Sequence, residues 1–163
     1  MGELRWVSSG GSSVALDDRT YPVVIATWIG VADAVTLRAF FDWNNEIVAR
    51  ATRERRVFSM ITDATRAGRP DAAARSLIAE LTEQMQRDHK DADAYRVAGP
   101  VVVDNPLVRG ALTAVGWIMR SGLETQYSES CAAAIAYVQK RFADRGASWP
   151  EGLTPTGYVP ARR

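Results

Sequence analysis

The amino-acid sequence predicts an α/β fold: a mixed, mainly parallel sheet of about four or five strands with about four helices packed against it. Two observations carry this expectation. Strand-like and helix-like stretches alternate along most of the chain. The helix-like stretches repeat apolar residues every three or four positions, whereas the strand-like ones are short β-branched and aromatic runs. Right-handed crossovers then lay helices against the sheet.

In chain order, residues 1–12 read as a flexible lead, frayed or a weak edge strand, because SSGGSS is turn-like. One domain is expected over 13–145. Ser13–Leu16 is a short strand and DDRTYP a turn. Tyr21–Ile29 is a buried strand closed by Gly30. Asp33–Arg55 is the clearest helix, with Leu37, Phe40, Phe41, Ile47, Val48 and Ala51 on one stripe and Asp42, Glu46, Arg50 and Arg53 on the solvent side. Arg56–Asp63 reads as a second core strand and Ala64–Pro70 as a loop. Asp71 caps a helix to Asp88 that turns Ala74, Leu77, Ile78, Leu81 and Met85 inward. His89–Ala94 is a polar link.

Val101–Val103 is a late strand, which starts at Val101 or carries a bulge because Pro100 has no N–H to give a ladder. Asn105 is a good N-cap and Pro106 suits the first helical position, so a helix runs over Pro106–Arg120. Thr125–Tyr127 allows only a very short strand. Ser128 or Ser130 caps a last helix to Arg145, with Cys131, Ala134, Ile135, Val138 and Phe142 on one stripe. Residues 146–163 form an extended tail, since prolines at 150, 155 and 160 bar a continuous helix.

Composition narrows the function classes. At 163 residues, 47% hydrophobic and 24% charged, the chain can build one globular core. A net charge of +1 gives no field of one sign to draw nucleic acid, and no basic stripe interleaves with aromatics. The single cysteine excludes an internal disulfide framework and suits a reducing compartment. MGELRWVSSGG has no apolar core of a signal peptide, and no apolar run approaches the roughly 18 residues of a membrane span. A cytoplasmic protein is expected.

The helix Pro106–Arg120 is the most informative stretch. Val108, Ala111, Leu112, Val115 and Met119 share one face, which should lie on the sheet. Gly110, Thr113, Ala114, Trp117 and Ser121 lie on or near the other. Small residues around one large aromatic make a surface that another element can approach closely. Either a partner, including a second copy of the chain, docks there through Trp117, or the C-terminal tail covers it.

Other features carry weaker chemistry. Trp28, Phe40, Phe41 and Trp43 either line an apolar pocket or are plain core, and Asn44 on that stripe either orients a ligand or bonds the backbone. His89 stands alone, so no metal site is expected, and no motif implies a cofactor. Cys131 falls on a buried stripe and reads as a core hydrophobe. Asp63 and Asp104 end strands, where α/β enzymes place chemistry, but nothing supplies a nucleophile or a cofactor loop.

Two resemblances follow from these stretches. VVVDNPLVRGALTAV resembles the opening of a response-regulator receiver domain, yet only about 60 residues follow Asp104, too few to complete one. Over residues 13–145 the order of elements is similar to the STAS fold of anti-sigma-factor antagonists, and more narrowly to small bacterial STAS-like proteins related in shape to CRAL-TRIO lipid-transfer domains. YPVVIATWIG leading into a long helix, VAGPVVVDNPLVRGAL and TQYSESCAAAIAYV carry that resemblance. Antagonists hold an Asp-Ser pair at the second helix, where the serine is phosphorylated. Here DATRAGRPDAAARS lacks the pair, leaving Thr65 and Ser76 as poor stand-ins for a phospho-site. The resemblance implies a non-enzymatic module that binds a partner protein or a small apolar ligand. Joined with the two faces of helix 106–120, it makes a signalling or regulatory module that acts by protein–protein interaction, and self-associates as a homodimer through that helix, the first expectation. A carrier or sensor of a small apolar, lipid-like ligand is the second expectation, and an enzyme the third.

Overall fold

A computed structural model describes residues 2–115 and 126–162, with the backbone alone for 112–115. β1 (Leu4–Ser9) and β2 (Ser12–Asp17) form an antiparallel hairpin in register from Leu4↔Asp17 to Ser9↔Ser12. Gly10 turns it with a φ of 55°, the left-handed backbone that two-residue hairpin loops favour. Of the two readings of this lead, frayed or a weak edge strand, the structure has the edge strand. The turn-like SSGGSS is the turn of a hairpin, and Val7 packs on the core.

β2 pairs antiparallel with β3 (Val23–Gly30), and β3 pairs parallel with β4 (Phe58–Ala67). The other edge of β4 is lined by β5 (Arg96–Ala98) and then β6 (Val101–Val102), both parallel to it. These are successive pieces of one strand, broken at Gly99-Pro100, where the Pro100 carbonyl still accepts the Thr62 N–H at 3.0 Å. β7 (Tyr127–Ser128) pairs parallel with β6. The order is β1-β2-β3-β4-β6-β7 with β5 beside β4, so the sheet is mixed and mainly parallel, as expected. It has seven strands among the described residues, more than expected, because β1 and β5 join it.

Local chemistry sets the helix starts. α1 (Ala34–Glu54) begins at a capping box: Asp33 accepts the Thr36 N–H at 2.9 Å, and Thr36 accepts the Asp33 N–H at 3.1 Å. α2 (Ala72–Asp88) is capped by Asp71, which accepts from the Ala74 N–H at 2.8 Å. A single turn, α3 (Ala92–Tyr95), replaces part of the expected polar link. α4 is described over Pro106–Val115 and starts where Asn105 accepts the Leu107 N–H at 2.9 Å. α5 (Cys131–Asp144) is capped by Ser130, which accepts from the Ala133 N–H at 3.1 Å.

The sheet buries both faces. On the front, Val24, Ala26 and Trp28 of β3 and Phe58 and Met60 of β4 meet Leu37, Phe40 and Val48 of α1 and Ile78 and Met85 of α2. On the back, Val23, Ile25, Ile61 and Val102 meet Ile135, Val138 and Phe142 of α5. Each Val, Leu, Ile, Phe or Met side chain so taken from water favours folding by about 1.5–3 kcal/mol. Val101 and Val103 alternate with Val102 and pack on Val108 of α4, so α4 lies on the face opposite α5.

The tail is a strap across the back. The Trp149 ring meets Phe142 edge-on at 5.5 Å, and its indole N–H donates to the Leu153 carbonyl at 2.7 Å. Leu153 and Tyr158 join the back core, and Arg66 Nη2 donates to the Ala161 carbonyl at 2.6 Å. β4 therefore does not stop at Asp63 as expected but runs to Ala67. The pairing with β3 slips by one residue between Asp63 and Arg66, a bulge that keeps both facing the strap.

Candidate functional site

α4 presents two unlike faces over its described length. Val108 and Ala111 are buried, Val108 packing against Ala64, Val101 and Val103. Leu107 is 75% exposed, and among the described residues nothing lies within 4 Å of where a Cβ on Gly110 would stand. Arg109 lies over the Tyr127 ring, 5.0 Å from its centroid. Thr113 and Ala114 continue the helix, while Trp117 and Ser121 lie outside the described residues. Among the described residues, Leu153, Trp149 and Tyr158 of the strap pack in the cluster with α5, whereas Val108 of α4 packs in the cluster with Ala64, Val101 and Val103.

The aromatic group expected around α1 is brought together. Phe40 meets Trp28 at 5.4 Å and Phe41 at 5.3 Å, both edge-to-face, and Trp43 at 6.4 Å. Asn44 is 3% exposed within this layer. Its Nδ2 reaches the Met85 sulfur at 3.1 Å, and its Oδ1 is buried without a hydrogen bond.

Thr65 and Ser76 are placed apart from a helix start. Thr65 lies in the β4 bulge, where its hydroxyl donates to Asp63 Oδ1 at 2.7 Å and its N–H to the same oxygen at 3.0 Å. Ser76 is exposed within α2.

Sequence reading passed over a polar cluster beneath the strap. The strand alternation that turns Ile25 and Ile61 to the back also turns Thr27 and Asp63 there, and these two are register partners. Asp17 pairs in register with Ile25 and is held by Arg19, whose Nε and Nη2 donate at 2.9 and 2.8 Å. Thr27, Asp63 and Asp17 are 1%, 2% and 3% exposed. Cys131, in the first turn of α5, donates weakly to Asp63 Oδ2 at 3.5 Å. Burial pushes its thiol up to about 12, and the charge and hydrogen bond of Asp63 add to the shift. Burial likewise raises the Tyr158 hydroxyl, with Asp17, Cys131 and Asp63 reinforcing it. The signal was present in the sequence as the period-two spacing Ile61–Asp63 and Ile25–Thr27.

Among the described residues no group of three His, Cys, Asp or Glu side chains could hold a metal ion, and no helix is long and apolar enough to cross a membrane. No protein-family model and no curated protein matches the chain. Solved structures do. The chain is similar to an anti-sigma factor antagonist from Mycobacterium paratuberculosis, at 14% identity over 85% of this chain and 95% of that one, with a TM-score of 0.46. It is also similar to an uncharacterized protein of the DUF3478 family with a SpoIIAA-like fold, from Shewanella loihica PV-4. That match has 12% identity over 80% of this chain and 98% of the other, with a TM-score of 0.50. The chain therefore has the SpoIIAA-like, or STAS-like, α/β fold.

Proposed function

We propose that this chain is a non-catalytic regulatory module that works by binding a protein through the outer face of α4, with a second copy of itself as the first partner. The observation that carries this reading is the pairing of Leu107, 75% exposed, with the open space over Gly110. A large apolar side chain beside a residue without one lets another backbone come close, and exposed apolar groups of this kind favour association. The described packing of the strap against α5 supports the reading.

The test is solution mass by sedimentation, for the wild type and for Leu107→Glu, Gly110→Arg and Trp117→Glu. Each substitution should shift a self-associating protein towards monomer, with the circular-dichroism spectrum unchanged. A wild type that stays monomeric at high micromolar concentration overturns self-association.

A second reading is a carrier of a small apolar ligand held between the sheet and α1, lined by Trp28, Phe40, Phe41 and Trp43. The buried, unbonded Oδ1 of Asn44 favours it, since such a group ordinarily finds a donor. Native mass spectrometry that returns the bare chain, with no thermal shift across a lipid panel, would exclude it.

A further inference from the structure

The back face is apolar where α5 and Leu153 cover it and polar where the end of the strap crosses it. A permanent cover over such a floor would satisfy each polar group, and here three are left short. Thr27 Oγ1 is buried and makes no hydrogen bond. The Tyr158 hydroxyl, on the strap side, is also buried and unbonded. Asp63 has Oδ1 filled by Thr65, but its Oδ2 receives only the Cys131 thiol at 3.5 Å. Among the described residues no cation is within ion-pair distance of Asp63, whereas Asp17 has Arg19 at 2.8 Å. Arg66, the nearest guanidinium on β4, is exposed and donates to the Ala161 carbonyl. Leaving a buried hydroxyl without a partner is costly, and buried carboxylates are ordinarily paired.

We propose that Thr27 and Asp63, roofed by Tyr158 and flanked by Cys131, form a binding site for a small organic cation, a protonated primary amine. An ammonium group has three N–H donors, and the site offers oxygen lone pairs from a carboxylate and two hydroxyls. The pair of carboxylates, Asp63 and Asp17, repels an anion. The amine supplies the positive charge that Asp63 lacks and occupies the two idle hydroxyls. Entry requires lifting residues 158–161 of the strap, which the Arg66–Ala161 hydrogen bond latches.

The test uses the full chain. Thermal melts at pH 7 are compared in ethylammonium chloride, sodium chloride and potassium chloride at equal ionic strength. Ethylammonium should raise the melting temperature saturably, by about 5 °C near saturation. Asp63→Asn should abolish the shift. The near-isosteric Thr27→Val and Tyr158→Phe should each weaken apparent affinity about fivefold, a single hydrogen bond's worth. Should Asp63→Asn fail to fold, these two variants decide. Three outcomes would overturn the site: ethylammonium no better than sodium, potassium as good as ethylammonium, or the same shift in wild type and both hydroxyl variants.

Discussion

Arg66 Nη2 donates to the carbonyl oxygen of Ala161 at 2.6 Å, across 95 residues of sequence. That bond closes a path which starts at Trp149 on Phe142, passes through buried Leu153 and reaches the far end of β4. The strap acts as the second cover of the back face, beside α5, in the place a further helix would take in a three-layer arrangement.

The two ends of the strap should differ in worth. Leu153→Ala removes buried apolar volume from the back core and should destabilise by about 2–5 kcal/mol. Arg66→Ala removes one hydrogen bond from an exposed side chain and should cost about 1 kcal/mol. Urea unfolding of both variants checks this. A Leu153→Ala loss below that of Arg66→Ala would mean the strap is only loosely seated.

Gly110→Ala should stabilise the free protein by about 0.5–1 kcal/mol, because Gly110 sits inside α4 with open space where a Cβ would go. Chemical denaturation at micromolar concentration reads the effect. A loss of stability would show that the outer face of α4 is covered in solution even under dilute conditions.

What the sequence revealed and what it hid follow from range. α1, α2 and α5 were legible to within a residue or two, because Asp33, Asp71 and Ser130 are local caps and the stripes repeat within each helix. β1 was only half legible because LRWVSS runs straight into the turn-like SSGGSS, and its pairing with β2 is a tertiary fact. β5 was hidden because RVA is too short to show alternation and owes its place to Phe58 and Ser59 across the ladder. The strap was read as merely extended, since nothing local says which face it crosses. The polar floor was missed for a related reason. Asp63 was weighed as a strand end, whereas the bulge after it carries β4 four residues further and leaves Asp63 inside.

Acid should loosen the start of α1. Burial pushes the Asp33 carboxyl up, but hydrogen bonds from the Thr36 N–H, the Ser9 and Thr36 hydroxyls and the Val35 N–H outweigh it and hold Asp33 below the usual carboxylate range. A carboxyl lowered on folding adds stability above its unfolded value, near 4, and that stability is lost as pH falls through the folded value. Asp33→Ala should cost about 1 kcal/mol at pH 7 and much less well below pH 3. Denaturant midpoints for the two proteins at both ends of that range test the sign. Equal differences at both ends would remove the charge from the account.

Cys131 should be a silent thiol in the folded chain. Its sulfur lies against Asp63 Oδ2 at 3.5 Å, and burial, reinforced by that carboxylate, pushes the thiol up to about 12. Only the thiolate attacks a disulfide reagent, so at pH 8 native Cys131 should react about a hundredfold more slowly than in the urea-unfolded chain. The linkage has a definite sign. The unfolded thiol loses its proton near 8.5 while the folded one keeps it, so this group subtracts stability as pH rises past that value. Cys131→Ser should flatten that alkaline decline, and Asp63→Asn should raise the native reaction rate by removing the charge that disfavours the thiolate. A native rate equal to the unfolded one would place Cys131 outside the cluster, and with it the flank of the amine site.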